Sequence, residues 1–115
     1  MDLEQNKNED ELKIAIGKVT RELDRIRMGG GPKKLEAQRS QGKMTARERA
    51  KYLLDPDTPS WEIGAFAGYG MYEEDGGCPA AGVVVVIGSV RGRLCMIIAN
   101  DATVKAGAWF PITGK

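Results

Sequence analysis

With 115 residues the chain has room for one domain on the usual scale of about 100–200 residues each, which excludes a complete two-domain enzyme within it. Hydrophobic residues make up 42% and charged residues 29%, enough for a core, while a formal net charge of +1 supplies no global field to recruit nucleic acid or an anionic membrane. The sequence contains no histidine, so His-bearing triads and His-bearing metal sites are excluded within it. Cys78 and Cys95 form no CxxC and are too few for a zinc ribbon. The acidic, polar N-terminus lacks the basic-then-apolar form of an export signal, and no apolar run approaches the ~18 residues of a membrane span. A reducing, cytoplasmic location is expected.

Met1 to Glu9 is polar and is expected to fray. From Leu12 the apolar positions Leu12, Ile16, Val19, Leu23 and Ile26 follow a 4-3-4-3 spacing that places one stripe on a helix. Asn8 with Glu11 resembles a capping box for it, and Gly29-Gly30-Gly31-Pro32 stops it. The stripe spans about two heptads where a coiled coil needs ~3–4, so packing on its own protein is the expectation. The glycine triplet follows a helix where a phosphate loop would follow a strand. A short second helix is predicted over Lys33 to Gly42, and Thr45-Ala46-Arg47-Glu48 opens a third that runs to Leu53 or Leu54. From Arg27 to Lys51 eight basic residues face only Glu36 and Glu48, a local net charge of +6. Such a run is either a solvated helical surface or a cationic rim for an anionic ligand or partner.

Asp55-Pro56-Asp57-Thr58-Pro59 breaks the helical half from a β-like half. Trp61 to Gly64 is a short strand candidate, and Glu73 to Gly77 an acidic loop. Gly82 to Val90 and Arg93 to Ala99 read as a hairpin joined at Arg91-Gly92. Both strands are nearly continuous in apolar residues, which requires cover on both faces. Three helices can cover one. Together with the unterminated Pro111-Ile112-Thr113-Gly114-Lys115, this reads as the N-terminal part of something larger.

Gly42-Lys43-Met44-Thr45-Ala46-Arg47-Glu48-Arg49 with Leu53-Leu54-Asp55-Pro56, then Gly88-Ser89-Val90-Arg91-Gly92 and Ile97 to Gly107, resembles two long motifs of carboxyltransferase β subunits of biotin-dependent acyl-CoA carboxylases, in the same order. The resemblance covers about Gly29 to Lys115. Phe66-Ala67-Gly68-Tyr69 and Cys95 to Lys105 look most like the methylcrotonoyl-CoA branch, with propionyl-CoA carboxylase as near neighbour. The lack of a four-cysteine ribbon separates the chain from the β subunit of the multi-subunit bacterial acetyl-CoA enzyme.

The resemblance implies an α/β architecture: amphipathic helices over residues 1–54, then over residues 55–115 the incomplete start of a crotonase-like domain of β-β-α units. It implies transfer of a carboxyl group to an acyl-CoA from carboxybiotin, which a carrier domain of a biotin carboxylase/carrier subunit supplies in trans. It also implies a homo-oligomer of the complete subunit, with no nucleic acid and no membrane span. The oxyanion-stabilising amides of the family lie in glycine turns beyond Lys115, so no catalytic residue is expected here and the 115 residues alone are expected to be inactive. CoA carries three phosphates, and Arg47, Arg49 and Lys105 are the candidates for a wall that meets it, against a purely structural role for the two arginines. The competing reading is a non-enzymatic interaction module that binds through the basic segment 27–51. Cys95, mid-strand, reads as a small buried hydrophobe, and Cys78 beside an acidic loop as a poor nucleophile. Asn100-Asp101 reads as a strand-ending turn, or as part of a loop that shapes the acyl-CoA site.

Overall fold

The computed structural model describes residues 2–115. Three helices come first: α1 (Leu3–Arg27), α2 (Pro32–Ser40) and α3 (Ala46–Leu53). Three strands follow, β1 (Ser60–Ile63), β2 (Val83–Val90) and β3 (Arg93–Asn100), with short 3₁₀ turns at Glu73–Asp75, Pro79–Gly82 and Lys105–Gly107. No helix among the described residues is long and apolar enough to cross a membrane.

The α1 helix starts earlier than its apolar stripe suggests. The Asp2 carboxylate accepts the Glu4 N–H at 3.2 Å, so the polar opening is helical where fraying was expected, and Asn8 and Glu11 lie inside the helix instead of capping it. Local charge, including the Glu9–Lys13 pair at 3.2 Å, supports these turns without tertiary contacts. The stripe meets its own protein only at its end. Ile26 is buried, whereas Leu12, Ile16 and Val19 are 61%, 56% and 54% exposed, which corrects the expectation that the whole stripe packs internally. The helix stops where Gly29 turns left-handed at φ 54°.

Pro32 opens α2, and Thr45 caps α3 with the full reciprocal box: its hydroxyl accepts from the Glu48 N–H while the Glu48 carboxylate accepts from the Thr45 N–H. Arg39 donates from Nε to Glu48 Oε1 at 2.7 Å and so links the two helices. That guanidinium, then the Thr45 N–H, holds the Glu48 carboxyl below its ordinary value.

The strands form one antiparallel sheet in the order β1-β2-β3. Trp61 pairs with Ile87, and Val85 with Ile98. Alternation then sorts the side chains. Val84, Val86, Ile97 and Ala99 face α3, where Ala46, Ala50 and Leu54 complete a small core. Gly88 completes this packing, since a methyl there would overlap Leu54. The opposite face carries Trp61, Ile63, Val85, Ile87, Leu94, Met96 and Ile98, with Leu94 76% and Ile98 66% exposed. One of the two apolar faces is thus covered and the other is bare among the described residues.

Arg91 and Gly92 both take positive φ, 49° and 75°, the combination a two-residue I′ turn requires. Asp55, just past α3, reaches this turn from outside the hairpin: its carboxylate oxygens accept the Arg91 N–H at 2.7 Å and the Gly92 N–H at 2.8 Å, and its own N–H donates to Ser89 O at 2.8 Å. The Gly92 N–H first, then that of Arg91, holds the Asp55 carboxyl below its ordinary value of 3.8. A depressed folded pKa means that the contribution is present above the unfolded value and lost as pH falls through the folded one. Asp55→Asn therefore melts lower than the parent protein near neutral pH, and the two melting temperatures converge as pH drops below the ordinary carboxylate value. A gap that stays constant down to acid pH refutes this role of the charge.

Candidate functional site

The end of β3 and the end of α1 meet. Beyond Asn100 the chain turns on Asp101, whose N–H donates to Gly82 O at 3.0 Å and whose carboxylate accepts both the N–H (3.0 Å) and the hydroxyl (2.6 Å) of Thr103. Asp101 and Thr103 are each only 4% exposed. The Thr103 hydroxyl oxygen then accepts the Gly30 N–H at 2.9 Å, a contact 73 residues apart in the chain. The backbones lie so close that a methyl on Gly30 would overlap the Thr103 carbonyl, and one on Gly29 would stand 2.6 Å from Asp101 Oδ2. The triplet after α1 is therefore a docking surface as well as a helix stop.

Next to this contact lies a second small core of Cys78, Ala81, Val104 and Phe110, with Tyr72 and Ile112 packed against it. Its walls are unusually left-handed. Tyr72, Ala80, Ala81, Lys105 and Ala106 all have φ between 48° and 55°, a region that costs residues with a side chain about 1–2 kcal/mol each. Thr113 helps to hold them, its hydroxyl donating to Ala81 O at 2.8 Å and accepting from the Phe110 N–H at 3.0 Å. Lys105 places its ammonium 4.3 Å from the centre of the Phe110 ring. Burial pushes the Cys78 thiol up and so disfavours the thiolate, opposed in part by the Lys105 charge. Cys95 is half-buried on β3.

One concavity opens at the Gly30–Thr103 contact and another along α3. A cleft of about 460 Å³ opens between Gly29–Gly31, Lys34, Tyr69 and the Cys78–Ala80 turn, with Thr103 in its wall. A shallower groove of about 920 Å³ runs along α3 past Arg47, Tyr52, Asp55 and Glu62. Among the described residues no group of His, Cys, Asp or Glu is placed to hold a metal ion.

Arg47, Arg49 and Lys105 occupy different surroundings. Arg47 makes a two-pronged bond to Glu62, Nε to Oε2 at 3.2 Å and Nη2 to Oε1 at 2.7 Å, and donates from Nη1 to the Arg27 carbonyl at 3.1 Å. It thereby joins α3, β1 and the last residue of α1. Arg49 is exposed and lines neither concavity. Lys105 is exposed on the strand-end loop over Phe110. The partners of these groups were invisible in sequence: Glu62 is 15 residues from Arg47, and nothing local marks Thr103 as the acceptor for Gly30.

Opposite effects are expected at two small residues. Gly30→Ala forces apart the α1–β3 contact and costs about 2–3 kcal/mol, as overpacking does. Ala106→Gly relieves an exposed left-handed residue and stabilises by about 0.5–1 kcal/mol after the greater freedom of glycine in the unfolded chain is counted. Chemical denaturation of both variants measures the pair, and a neutral Gly30→Ala refutes the close approach.

The chain can now be compared with known proteins. Residues 37–115 match the carboxyl transferase domain family. The probable mitochondrial methylcrotonoyl-CoA carboxylase beta chain of Drosophila melanogaster is 39% identical over 112 residues, 97% of this chain and 19% of that protein. The biotin-dependent 3-methylcrotonyl-coenzyme A carboxylase beta1 subunit of Mycobacterium tuberculosis is 40% identical over 106 residues, 92% of this chain and 20% of that one. Among solved structures, transcarboxylase 12S with methylmalonyl-coenzyme A and methylmalonic acid bound superposes with a TM-score of 0.74 at 35% identity, over 84% of this chain and 19% of that one. The chain spans about one fifth of the length of these relatives. Its helices and antiparallel sheet match those of crotonase-like carboxyltransferase structures, and it belongs to the carboxyl transferase domain family.

Proposed function

We propose that this chain is the opening part of a subunit that transfers a carboxyl group from carboxybiotin, carried on a separate domain, to an acyl-CoA of the methylcrotonoyl or propionyl type. In that reaction the bond between the carboxyl carbon and the biotin nitrogen breaks with its electron pair staying on that nitrogen, the nitrogen takes up the proton that the acyl-CoA loses on forming its enolate, and the enolate carbon bonds the carboxyl carbon. The observation that carries this reading is the similarity to methylcrotonoyl-CoA carboxylase β chains along nearly the whole chain, helices included.

The chemistry is compatible with the residues present. Enolates are stabilised by preorganised backbone N–H groups, which need neither histidine nor metal. The role of residues 2–115 in this reading is to build a wall beside the reacting centre. The Asp101–Thr103–Gly30 contact stiffens that wall, and the loop Asn100–Gly107 presents Lys105 on it. Of the three candidates, Arg49 and Lys105 are exposed and free to meet CoA phosphates, whereas Arg47 has its donors committed to Glu62 and Arg27.

Steady-state kinetics of the full-length subunit test this. Arg49→Ala and Lys105→Ala raise the KM for acyl-CoA several-fold with little change in melting temperature, whereas Arg47→Ala lowers the melting temperature with little selective effect on KM. Normal acyl-CoA KM values in all three variants make the segment scaffold and overturn the CoA-wall assignment.

A further inference from the structure

The positive charge of α2 and α3 exceeds what folding uses. From Lys33 to Lys51 seven cations stand against two anions. Both anions are taken by one residue, since Arg39 bonds Glu48 and approaches Glu36 at 4.0 Å, and Arg47 is held by Glu62. Lys33, Lys34, Lys43, Arg49 and Lys51 remain exposed, and none enters an ion pair among the described residues. Lys33 and Lys34 stand in the first turn of α2, which contains no acidic residue, where the helix dipole makes a cation unfavourable. By contrast α1 keeps six acidic beside six basic residues and pairs several of them.

The placement discriminates between ligands. A small anion is held by donors that converge in a concavity, and of these lysines only Lys34 lines the cleft and only Lys51 the groove. A nucleic acid strand needs aromatic faces for its bases, and residues 33–51 contain none. Exposed cations that share no concavity, on α2, on α3 and in the turn between them, match instead a broad surface of opposite charge, which long-range attraction draws in without tight binding.

We infer that the α2–α3 surface is an electrostatic docking face for an acidic protein domain that associates transiently. Under the proposed function that domain is the carrier of carboxybiotin, which has to arrive and leave in every cycle; the identity of the carrier as partner rests on that reading. Lys33, Lys43 and Lys51 steer its approach, and the acyl-CoA site is not involved.

The test uses the full-length subunit, with the purified biotinylated carrier domain in one arm and free biotin in the other. Charge reversal at three positions (Lys33→Glu, Lys43→Glu, Lys51→Glu) raises the KM for the carrier about tenfold at low salt and leaves the KM for free biotin and for acyl-CoA unchanged. The difference from the parent enzyme shrinks as salt rises from about 50 to about 300 mM, across which exposed charges are progressively screened. The melting temperature does not fall, because glutamate at position 33 suits the start of a helix. An unchanged KM for the carrier overturns the inference, and so does a rise confined to acyl-CoA, which makes the lysines part of a small-anion site. Direct binding of the carrier domain to parent and variant, measured by fluorescence anisotropy, reads the same surface without turnover. Carrier binding that charge reversal weakens, in a protein that transfers no carboxyl group, sustains the docking face while refuting the proposed reaction.

Discussion

The hydrogen bond from the Gly30 N–H to the Thr103 hydroxyl oxygen organises the rest of the molecule. It exists because Asp101 turns the chain at the end of β3 and holds Thr103 with both its N–H and its hydroxyl, and because Gly29 and Gly30 have no side chains to keep the backbones apart. The α1 helix has little else to secure it, since Ile26 is its one buried residue. From this contact the chain enters α2. The Arg47 fork reinforces the same junction from the other side by binding the Arg27 carbonyl while it grips Glu62 on β1. A half-buried pair with two parallel bonds has geometric definition that a surface ion pair lacks, so its main effect is to fix orientation.

Asp55 does for the hairpin what Thr103 does for α1. Both are short polar side chains that lend an acceptor to backbone N–H groups of a distant turn, and both lie within the stretches that carry the family resemblance. The tight spacing of those motifs thus has a structural cause before any catalytic one. Thr45, Glu48 and Arg47 share one turn of helix because the cap, the tie to α2 and the tie to β1 all have to leave from the same place.

What could be read in the sequence was whatever depends on neighbours in the chain. The Thr45 to Glu48 box, the helix stop at Gly29-Gly30-Gly31-Pro32 and the Arg91-Gly92 turn each follow from local capping or φ preference, and the structure has all three. The start of α1 was misread because a polar segment without an apolar stripe resembles a frayed end, although Asp2 caps it and charge pairs support it. The partners of Arg47 and Thr103 stayed hidden for a different reason: they are set by the fold, and spacing along the chain contains nothing of them. The left-handed alanines were equally illegible, since Ala80, Ala81 and Ala106 occupy a conformation that their residue type disfavours and only the packing around Cys78 and Phe110 imposes.

The two faces of the sheet differ in their cover. The face toward α3 is a finished core of small and branched side chains. The other presents Leu94, Met96 and Ile98 to solvent on β3, whose outer edge has no strand beside it among the described residues. An apolar edge strand without lysine, proline or a bulge lacks the usual protection against pairing. Strands that are apolar on both faces are characteristic of sheets covered on both sides. Gly30, Asp55 and Arg47 tie the helical half to the strands and their loops, while the unpaired lysines of α2, α3 and the turn between them stay exposed to solvent.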